Sequence, residues 1–190
     1  MNITIVAATG GIGRQLLEQA LDAGQSVRAV VRNPKKLSRE VPAFMTDLAN
    51  PDLPTLETAF KGTDAVLSGL GARSATDAGV AARGTRSIVQ AMRAVGVRRI
   101  VAVSAAPIGT VPSPNRPNPP KYDPGDGFFM RYLLAPLTKA VLRRHYADLA
   151  NMEDVLHESC IDWTIVRQGH NSQWSQRASR HRYSPDLRSV

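Results

Sequence analysis

Cysteine is nearly absent from this chain, and its scarcity excludes a fold held together by disulfide bonds. The 190 residues include one cysteine, Cys160, so an internal disulfide is excluded and a reducing compartment is indicated. We interpret Cys160 as a small core residue near a helix end rather than as a reactive thiol. His145 and His157 lie twelve residues apart, which is not a spacing typical of zinc ligands, so no metal site is predicted.

Long apolar runs are absent as well. No stretch of the sequence is long and apolar enough to cross a bilayer. A strand pattern begins at residue 2, which leaves no room for a signal peptide. We therefore expect a cytoplasmic protein with no membrane partner.

Positive charge is in excess, but the features that accompany nucleic-acid binding are missing. The chain has 24 lysines and arginines against 16 acidic residues, a net charge of +8, and aromatic residues make up 5%. Nucleic-acid-binding domains concentrate basic residues in one patch, often interleaved with aromatic residues. Here the basic residues are scattered outside the C-terminal segment. We expect no nucleic-acid partner and assign the charge to a phosphate-rich cofactor and a basic tail.

Short apolar segments alternate with helical patterns along most of the chain. Strands are predicted at Asn2–Ala7, Ser26–Val31, Ala43–Met45, Ala65–Ser68, Arg99–Val103 and Trp163–Val166, and helices at Ile12–Ala23, Leu53–Phe60, Ala78–Val95 and across Gly127–Ser159. This alternation is typical of a parallel sheet with helices on both faces. The sequence therefore predicts the α/β class, with a single Rossmann-like, doubly wound domain over residues 1–167.

Two segments break this alternation. Pro107–Pro124 contains seven prolines, which neither a helix interior nor a central strand tolerates. We predict a long extended loop at the edge of the sheet where ligands bind, and interpret it as a lid on the substrate side; a plain surface loop is the alternative. Residues 168–190 carry four arginines and one acidic residue without apolar periodicity. They are predicted to be a basic, irregular tail.

The turn after the first strand predicts a pyrophosphate site. It reads Ala7-Ala8-Thr9-Gly10-Gly11-Ile12-Gly13 and leads from an apolar strand into a helical pattern. Such a turn brings backbone N–H groups close to phosphates, and the N-terminus of the helix adds partial positive charge. The predicted cofactor contacts are Thr9, Gly10, Gly11, Ile12 and Gly13. The alternative is a tight turn that only packs the helix on the strand.

The end of the second strand distinguishes NADP from NAD. NAD sites place an acidic residue there to hold the ribose 2′-hydroxyl, whereas NADP sites offer a cation to the 2′-phosphate. This chain has Arg32 and Asn33, followed by Lys35 and Lys36, and no acidic residue before Glu40. We predict NADP(H) as the cofactor, with Arg32 on the 2′-phosphate and Asn33 beside it. The alternative is that Arg32 is a solvated cation at a strand end.

Two further candidates follow the third and fourth strands. Asp47-Leu48 follows the third strand and either contacts the adenine or begins the next turn. Gly69-Leu70-Gly71 follows the fourth strand. Small residues there let the backbone lie against a cofactor, although an ordinary strand-to-helix turn would use them too.

These motifs together resemble the NAD(P)H-binding family related to the atypical short-chain dehydrogenases, which includes NmrA-like proteins and the flavin reductase/biliverdin-IXβ reductase type. The resemblance covers residues 1–167. It is carried by Ala8-Thr9-Gly10-Gly11-Ile12-Gly13, Val30-Val31-Arg32-Asn33, Asp47-Leu48, Asp64-Ala65-Val66, Gly69-Leu70-Gly71, Val103-Ser104 and Asp162-Trp163-Thr164-Ile165-Val166-Arg167. It implies an NADPH-binding cleft and hydride transfer to a flavin or linear tetrapyrrole. It also implies a catalytic Ser104 that hydrogen-bonds the nicotinamide or the substrate; a polar strand-end residue is the alternative.

The Tyr-x-x-x-Lys pair of the classical short-chain dehydrogenases is missing. Four residues after Tyr122, Tyr132 and Tyr146 stand an aspartate, a proline and an alanine. Because that pair lowers the pKa of the tyrosine for proton transfer, ordinary alcohol dehydrogenation is not expected. We predict an NADPH-dependent oxidoreductase that reduces a small planar acceptor, namely a flavin, a quinone or a linear tetrapyrrole. The alternatives are a non-catalytic NADP(H)-binding redox sensor of the NmrA-like type and a sugar-nucleotide epimerase-like enzyme.

The last helical pattern is interpreted as core on one side and solvated on the other. Its apolar positions have the spacing of a core-facing stripe. Glu153 and Asp154 are predicted to form a solvated face with Arg143 and Arg144. His145 is expected to point to solvent.

Overall fold

The computed structural model describes residues 1–72, 77–121, 142–168 and 177–181. Its strands are β1 (Asn2–Val6), β2 (Ser26–Val31), β3 (Ala43–Met45), β4 (Ala65–Ser68), β5 (Arg99–Ala105), β6 (Asp162–Gln168) and β7 (Arg177–His181). Its α-helices are α1 (Gly11–Asp22), α2 (Leu53–Phe60), α3 (Val80–Ala94) and α4 (Arg143–His157). The predicted and observed bounds of strands β1 to β6 and of α1, α2 and α3 agree to within two residues; the prediction for β6, Trp163–Val166, began one residue late and ended two residues short. Of the helix predicted across Gly127–Ser159, residues 127–141 lie outside the described part, and the rest contains α4.

The strands form one sheet in the order β3-β2-β1-β4-β5-β6-β7. The first six are parallel; in β1, for example, Ile3 lies opposite Val27 on one side and Ala65 on the other. Strands β2 and β3 therefore lie on one side of β1, and strands β4 to β7 follow in order on its other side. The carboxyl ends of β1 and β4 form the crevice where such sheets bind ligands. The predicted Rossmann-like α/β fold is confirmed.

Both faces of the sheet carry a cluster of buried residues. Successive residues of one strand belong to different clusters, because they point to opposite sides of the sheet. In β1, Ile5 belongs to a cluster with Leu17 of α1, whereas Val6 belongs to the larger cluster on the opposite face. The larger cluster includes Phe60 and Ile88, both fully buried. This core fixes the positions at which the strands end, and so fixes the site.

The C-terminal tail is not irregular throughout. Residues Arg177–His181 form β7, which pairs antiparallel with β6 and places His181 opposite Trp163. The prediction of an irregular tail is wrong for these residues. Pairing at a sheet edge needs only main-chain groups, so it leaves no apolar periodicity in the sequence. Residues 169–176 and 182–190 lie outside the described residues.

The start of the proline-rich segment is a docked turn rather than an extended loop. Ala106–Thr110 forms a 3-10 helix with a proline in its first turn, where a missing N–H costs nothing. Beyond it, the Ser113 hydroxyl donates to Asp154 of α4 at 3.0 Å, and the backbone N–H of Asn115 donates to the same carboxylate at 3.1 Å. This part of the predicted lid is therefore attached to α4. Residues 122–124 lie outside the described part.

Candidate functional site

The turn between β1 and α1 is held in a shape that requires glycine. The carbonyl oxygen of Ala7 accepts a hydrogen bond from Gly10 at 2.9 Å, and Ala7 has a φ of 60°. A Cβ atom at Gly13 would lie 2.1 Å from the Ala7 carbonyl oxygen, whereas one at Gly11 would meet open space. Gly13 is therefore needed for α1 to pack on the turn, and Gly11 is not.

The first turn of α1 is suited to binding an anion. Gly10 caps the helix without any side-chain hydrogen bond, and Gly11 and Ile12 are exposed. The amides at a helix N-terminus point outward and carry partial positive charge. The loop after β4 passes close by, since a Cβ at Gly69 would lie 3.0 Å from the Gly13 nitrogen. At both glycines the backbone segments approach too closely to admit a side chain, and this contact holds the loop after β4 against the first turn of α1.

An open cleft adjoins this turn at the carboxyl ends of β1 and β2. Its lining consists of Ala7, Thr9, Val30, Val31, Arg32, Thr46, Asp47, Leu48, Leu70, Gly71, Asp77 and Val80. Six of the predicted site residues meet there, although they come from four separate segments of the sequence. Those six are Thr9, Arg32, Asp47, Leu48, Leu70 and Gly71.

Arg32 lies in this cleft beside an acidic residue that the sequence analysis missed. Its Nη1 is 3.4 Å from Oδ1 of Asp77. The Arg32 side chain is 49% exposed and that of Asp77 is 17% exposed. Asp77 stands just before the α3 pattern, where an acidic residue is ordinarily taken for a helix cap. The cleft therefore holds a cation and a carboxylate at the same end.

The other predicted polar residues near β2 and β3 have local structural partners. The side chain of Asn33 accepts a hydrogen bond from the Lys35 amide at 3.0 Å, which caps the 3-10 turn Pro34–Lys36. Asp47 is exposed and accepts from the Ala49 amide at 3.1 Å. Leu48 is a buried core residue whose surface also lines the cleft. Asp47 therefore begins the turn after β3, and a contact of Asp47 or Leu48 with the adenine stays a prediction.

Ser104 is the next-to-last residue of β5 and is buried in a polar network. Its hydroxyl lies 2.7 Å from Oε1 of Glu153 in α4. Arg167 of β6 binds the same carboxylate through two nitrogens, at 3.0 and 2.6 Å. Since a carboxylate held by a guanidinium accepts hydrogen bonds only, the Ser104 hydroxyl donates to Glu153. Ser104 can then offer only its oxygen to a ligand, as an acceptor.

The prediction of a solvated face for Glu153 and Asp154 is wrong. Glu153 is 1% exposed, and Asp154 binds the segment around Ser113. Glu153 lies four residues after Leu149 and three before Leu156, which are both buried. Residues at these spacings share one face of a helix. The position of Glu153 on the apolar stripe is the signal that would have revealed a buried carboxylate.

A second buried carboxylate of α4 caps the N-terminus of α3. Asp148, 4% exposed, accepts from the backbone amides of Ala81 and Ala82, each at 3.0 Å. The residue before α3, Gly79, has a φ of 82° and provides no side-chain cap. Asp148 therefore acts as the cap of α3 from a distant helix.

Two ring side chains at the start of α4 differ from expectation. His145 is half-buried, and its Cε1 lies 3.8 Å from where a Cβ of Gly71 would stand, so it faces the loop after β4 rather than open solvent. Tyr146 is buried, and burial raises the pKa of its phenol. That direction is opposite to the one that proton abstraction by a tyrosine requires.

Cys160, expected in the core, is exposed.

Neither a membrane-spanning helix nor a cluster of metal-ligating side chains is found among residues 1–72, 77–121, 142–168 and 177–181.

Residues 7–187 match the family model described as NAD(P)H-binding, which extends past residue 167, where the resemblance in the sequence ended. Two curated relatives are the photosystem II assembly factor Ycf39 of Cyanophora paradoxa and of Synechocystis. Each is 31% identical over 111 residues, which is 55% of this chain and 34% or 33% of the relative. The chain spans about a third of the length of these relatives.

Solved structures with the same fold cover most of the chain. The oxidoreductase ylbE of Lactococcus lactis is 21% identical with a TM-score of 0.67, over 88% of this chain and 68% of that one. ChuY, an anaerobillin reductase of Escherichia coli O157:H7, is 20% identical with a TM-score of 0.64, over 88% and 72%. A short-chain dehydrogenase/reductase of Veillonella parvula in complex with NADP is 22% identical with a TM-score of 0.59, over 87% and 68%.

Proposed function

Because this chain belongs to the NAD(P)H-binding family, we propose that it is an NADPH-dependent reductase of a small planar acceptor. The observation that carries the proposal is the junction of two features at one edge of the sheet. The exposed first turn of α1, which the close approach of Gly13 and Gly69 holds in place, stands beside a cleft that holds Arg32. A dinucleotide with a 2′-phosphate needs both, one for its pyrophosphate and one for its extra charge.

Each part of the cleft has a role in this proposal. The amides of Gly11, Ile12 and Gly13 bind the pyrophosphate, and Arg32 binds the 2′-phosphate through its planar fork of donors. The apolar surface of Leu48 supports the adenine. When bound, the cofactor supplies the hydride chemistry, and the protein supplies orientation.

Ser104 has a narrower role than the sequence suggested. Its hydroxyl proton is committed to Glu153, so we assign it to accept a hydrogen bond from the nicotinamide carboxamide rather than to protonate a substrate. Glu153 and Arg167 then hold the Ser104 oxygen in place. Such a fixed acceptor orients the reacting end of the cofactor without changing its own protonation.

The acceptor class is supported by the chemistry that the chain lacks. Tyr146 has no lysine four residues later, and burial raises its pKa, so it is unsuited to the proton transfer of alcohol dehydrogenation. Two proteins of similar fold are named for other acceptors: the anaerobillin reductase above and an NADPH-dependent quinone oxidoreductase of Escherichia coli, 21% identical with a TM-score of 0.56. A flavin, quinone or linear tetrapyrrole fits this chemistry.

A nucleotide-binding sensor is the second candidate. The burial of Ser104, at 4% exposure, favours it, because a fully enclosed hydroxyl does little for an incoming substrate. Two relatives are also named as assembly factors rather than enzymes. A sensor would bind the nucleotide in the same cleft and alter its affinity for a protein partner, without turnover.

The test is NADPH oxidation followed at 340 nm with FMN, riboflavin, biliverdin and quinones, with nucleotide binding measured in parallel by fluorescence. Turnover with one acceptor supports the reductase. Tight binding of NADPH without turnover supports the sensor. Failure to bind either NADPH or NADH refutes both.

Arg32→Ala tests the cofactor preference, and Arg39→Ala is a matched control. Both arginines are about half exposed, at 49% and 51%, and each has one acidic partner, at 3.4 and 3.5 Å. Only Arg32 lines the cleft. We expect Arg32→Ala to weaken NADPH binding about tenfold or more, the loss of one charge-assisted contact, and NADH binding little. Equal losses for both nucleotides would refute the role of Arg32.

A further inference from the structure

Asp77, the acidic partner of Arg32, has no role in the proposed binding of NADPH. We propose that Asp77 sets the balance between NADPH and NADH by competing with the cofactor phosphate for Arg32. Asp77 is then a specificity-determining residue of the cleft. The proposal rests on the proposed function, since it needs the nucleotide to occupy this site.

The geometry brings the two charges together from opposite walls. Arg32 follows β2, whereas Asp77 precedes α3, yet Nη1 and Oδ1 lie 3.4 Å apart. Asp77 is the more enclosed of the two, with 17% of its side chain exposed against 49% for Arg32. The carboxylate is thus positioned by the wall of the cleft, and the longer arginine reaches across to it.

The contact engages one nitrogen of the guanidinium. A guanidinium has five N–H donors, so Arg32 retains donors for a second anion. A phosphate bound there would nevertheless stand close to the Asp77 carboxylate. Two anions at such a distance repel each other, and Asp77 also weakens the pull of Arg32 on the phosphate. Binding of the phosphorylated nucleotide is therefore opposed by Asp77.

The unphosphorylated nucleotide meets the opposite situation. Its ribose 2′-hydroxyl can donate a hydrogen bond to a carboxylate. Accepting that hydrogen bond is the usual role of an acidic residue in NAD sites. In this cleft the acidic residue comes from the α3 side rather than from the end of β2. Arg32 favours NADPH, Asp77 favours NADH, and their pairing moderates the preference of the protein.

The test compares four proteins: wild type, Asp77→Asn, Arg32→Ala and the double variant. The dissociation constants of NADPH and NADH are measured by fluorescence at low and at physiological salt. We expect Asp77→Asn to tighten NADPH binding about two- to fivefold, the size expected for an exposed ion pair, and to weaken or leave unchanged the binding of NADH. The gain for NADPH should shrink at higher salt and in the Arg32→Ala background.

Asp22→Asn is the matched control. Asp22 pairs with Arg39 at 3.5 Å, and neither of these two residues lines the cleft. This substitution should alter neither constant. Asp77→Ser removes the same charge and covers the case in which the asparagine variant folds poorly, as judged by thermal unfolding.

The outcomes separate the two proposals. If Asp77→Asn weakens NADPH binding, the carboxylate orients Arg32 instead of competing for it, and the inference is overturned. If the ratio of the two constants does not move, it is overturned as well. In both cases the proposed function stands as long as the wild type binds NADPH. A wild type that binds neither nucleotide defeats the proposed function itself.

Discussion

The N-termini of α1 and α3 both follow a glycine, yet they are completed in different ways. Gly10 precedes α1 and Gly79 precedes α3, and neither helix has a capping side chain at that position. At α3, the carboxylate of Asp148 accepts from two backbone amides at 3.0 Å. At α1, the first turn lies at the edge of the open cleft, where Thr9 forms part of the lining.

The difference shows that the same feature, the amides at a helix N-terminus, can bind either an internal carboxylate or an external anion. A helix N-terminus attracts an anion because its amides are unpaired and its dipole is positive. The fold supplies α3 with an anion of its own, buried between α3 and α4. It leaves the end of α1 for an anion from outside, which we propose is the pyrophosphate. The bound carboxylate at α3 is an internal example of the interaction proposed at α1.

Removing the internal anion should produce the largest effect. We expect Asp148→Ala to lower the free energy of unfolding by about 2–4 kcal/mol, because two buried amides lose their acceptor. Urea unfolding measures it. Asp52→Ala is the control: Asp52 caps α2 at 3.0 Å but is exposed, so it should cost about 1 kcal/mol. Equal costs would show that the α3 cap is an ordinary surface cap.

Closing the external site should come next. In Gly13→Ala the new Cβ would meet the Ala7 carbonyl oxygen at 2.1 Å, so α1 must move away from the turn. We expect a loss of about 1–3 kcal/mol in stability and a loss of NADPH binding of at least tenfold. Gly11→Ala, which meets nothing within 4 Å in the protein, should keep the stability of the wild type. Normal NADPH binding by Gly13→Ala would contradict the proposed role of the first turn of α1 in binding the nucleotide.

The elements of this comparison were not equally predictable from the sequence. The bounds of β2, β3, β4 and α2 agree with prediction to the residue, because short apolar runs and helical periodicity are local signals. The glycine turn is also local: a strand, a tight turn and a helix follow one another directly. The proposed external anion site could therefore be predicted from consecutive residues.

The internal contacts depend on tertiary structure. Asp148 is 66 residues from Ala82, and Asp77 is 45 residues from Arg32. No local pattern connects such pairs, since the fold alone brings them together. Glu153 is intermediate, because its place on the apolar stripe of α4 hints at burial but not at its partners Ser104 and Arg167. Charged residues in a core stripe are the ones that local reasoning assigned to solvent.

The smallest effect tests whether the shape of the external site is strained. Ala7 has a φ of 60°, a conformation that costs a residue with a Cβ about 1–2 kcal/mol. Ala7→Gly should therefore raise stability, by about 0.5–1 kcal/mol after the greater freedom of glycine in the unfolded chain is counted. Ala8→Gly is the control: Ala8 is fully buried without a positive φ, so it should lose about 1 kcal/mol. Urea midpoints measure both.

Nucleotide affinity decides what the strain does. If Ala7→Gly is more stable and binds NADPH as the wild type does, the strained turn is only tolerated, and the hydrogen bond from Gly10 to the Ala7 oxygen is enough to hold the amides in place. If it is more stable but binds NADPH more weakly, the alanine restricts the turn to the conformation that the pyrophosphate needs. A less stable Ala7→Gly would contradict the strain itself, because the methyl group would then contribute more through packing than its backbone conformation costs.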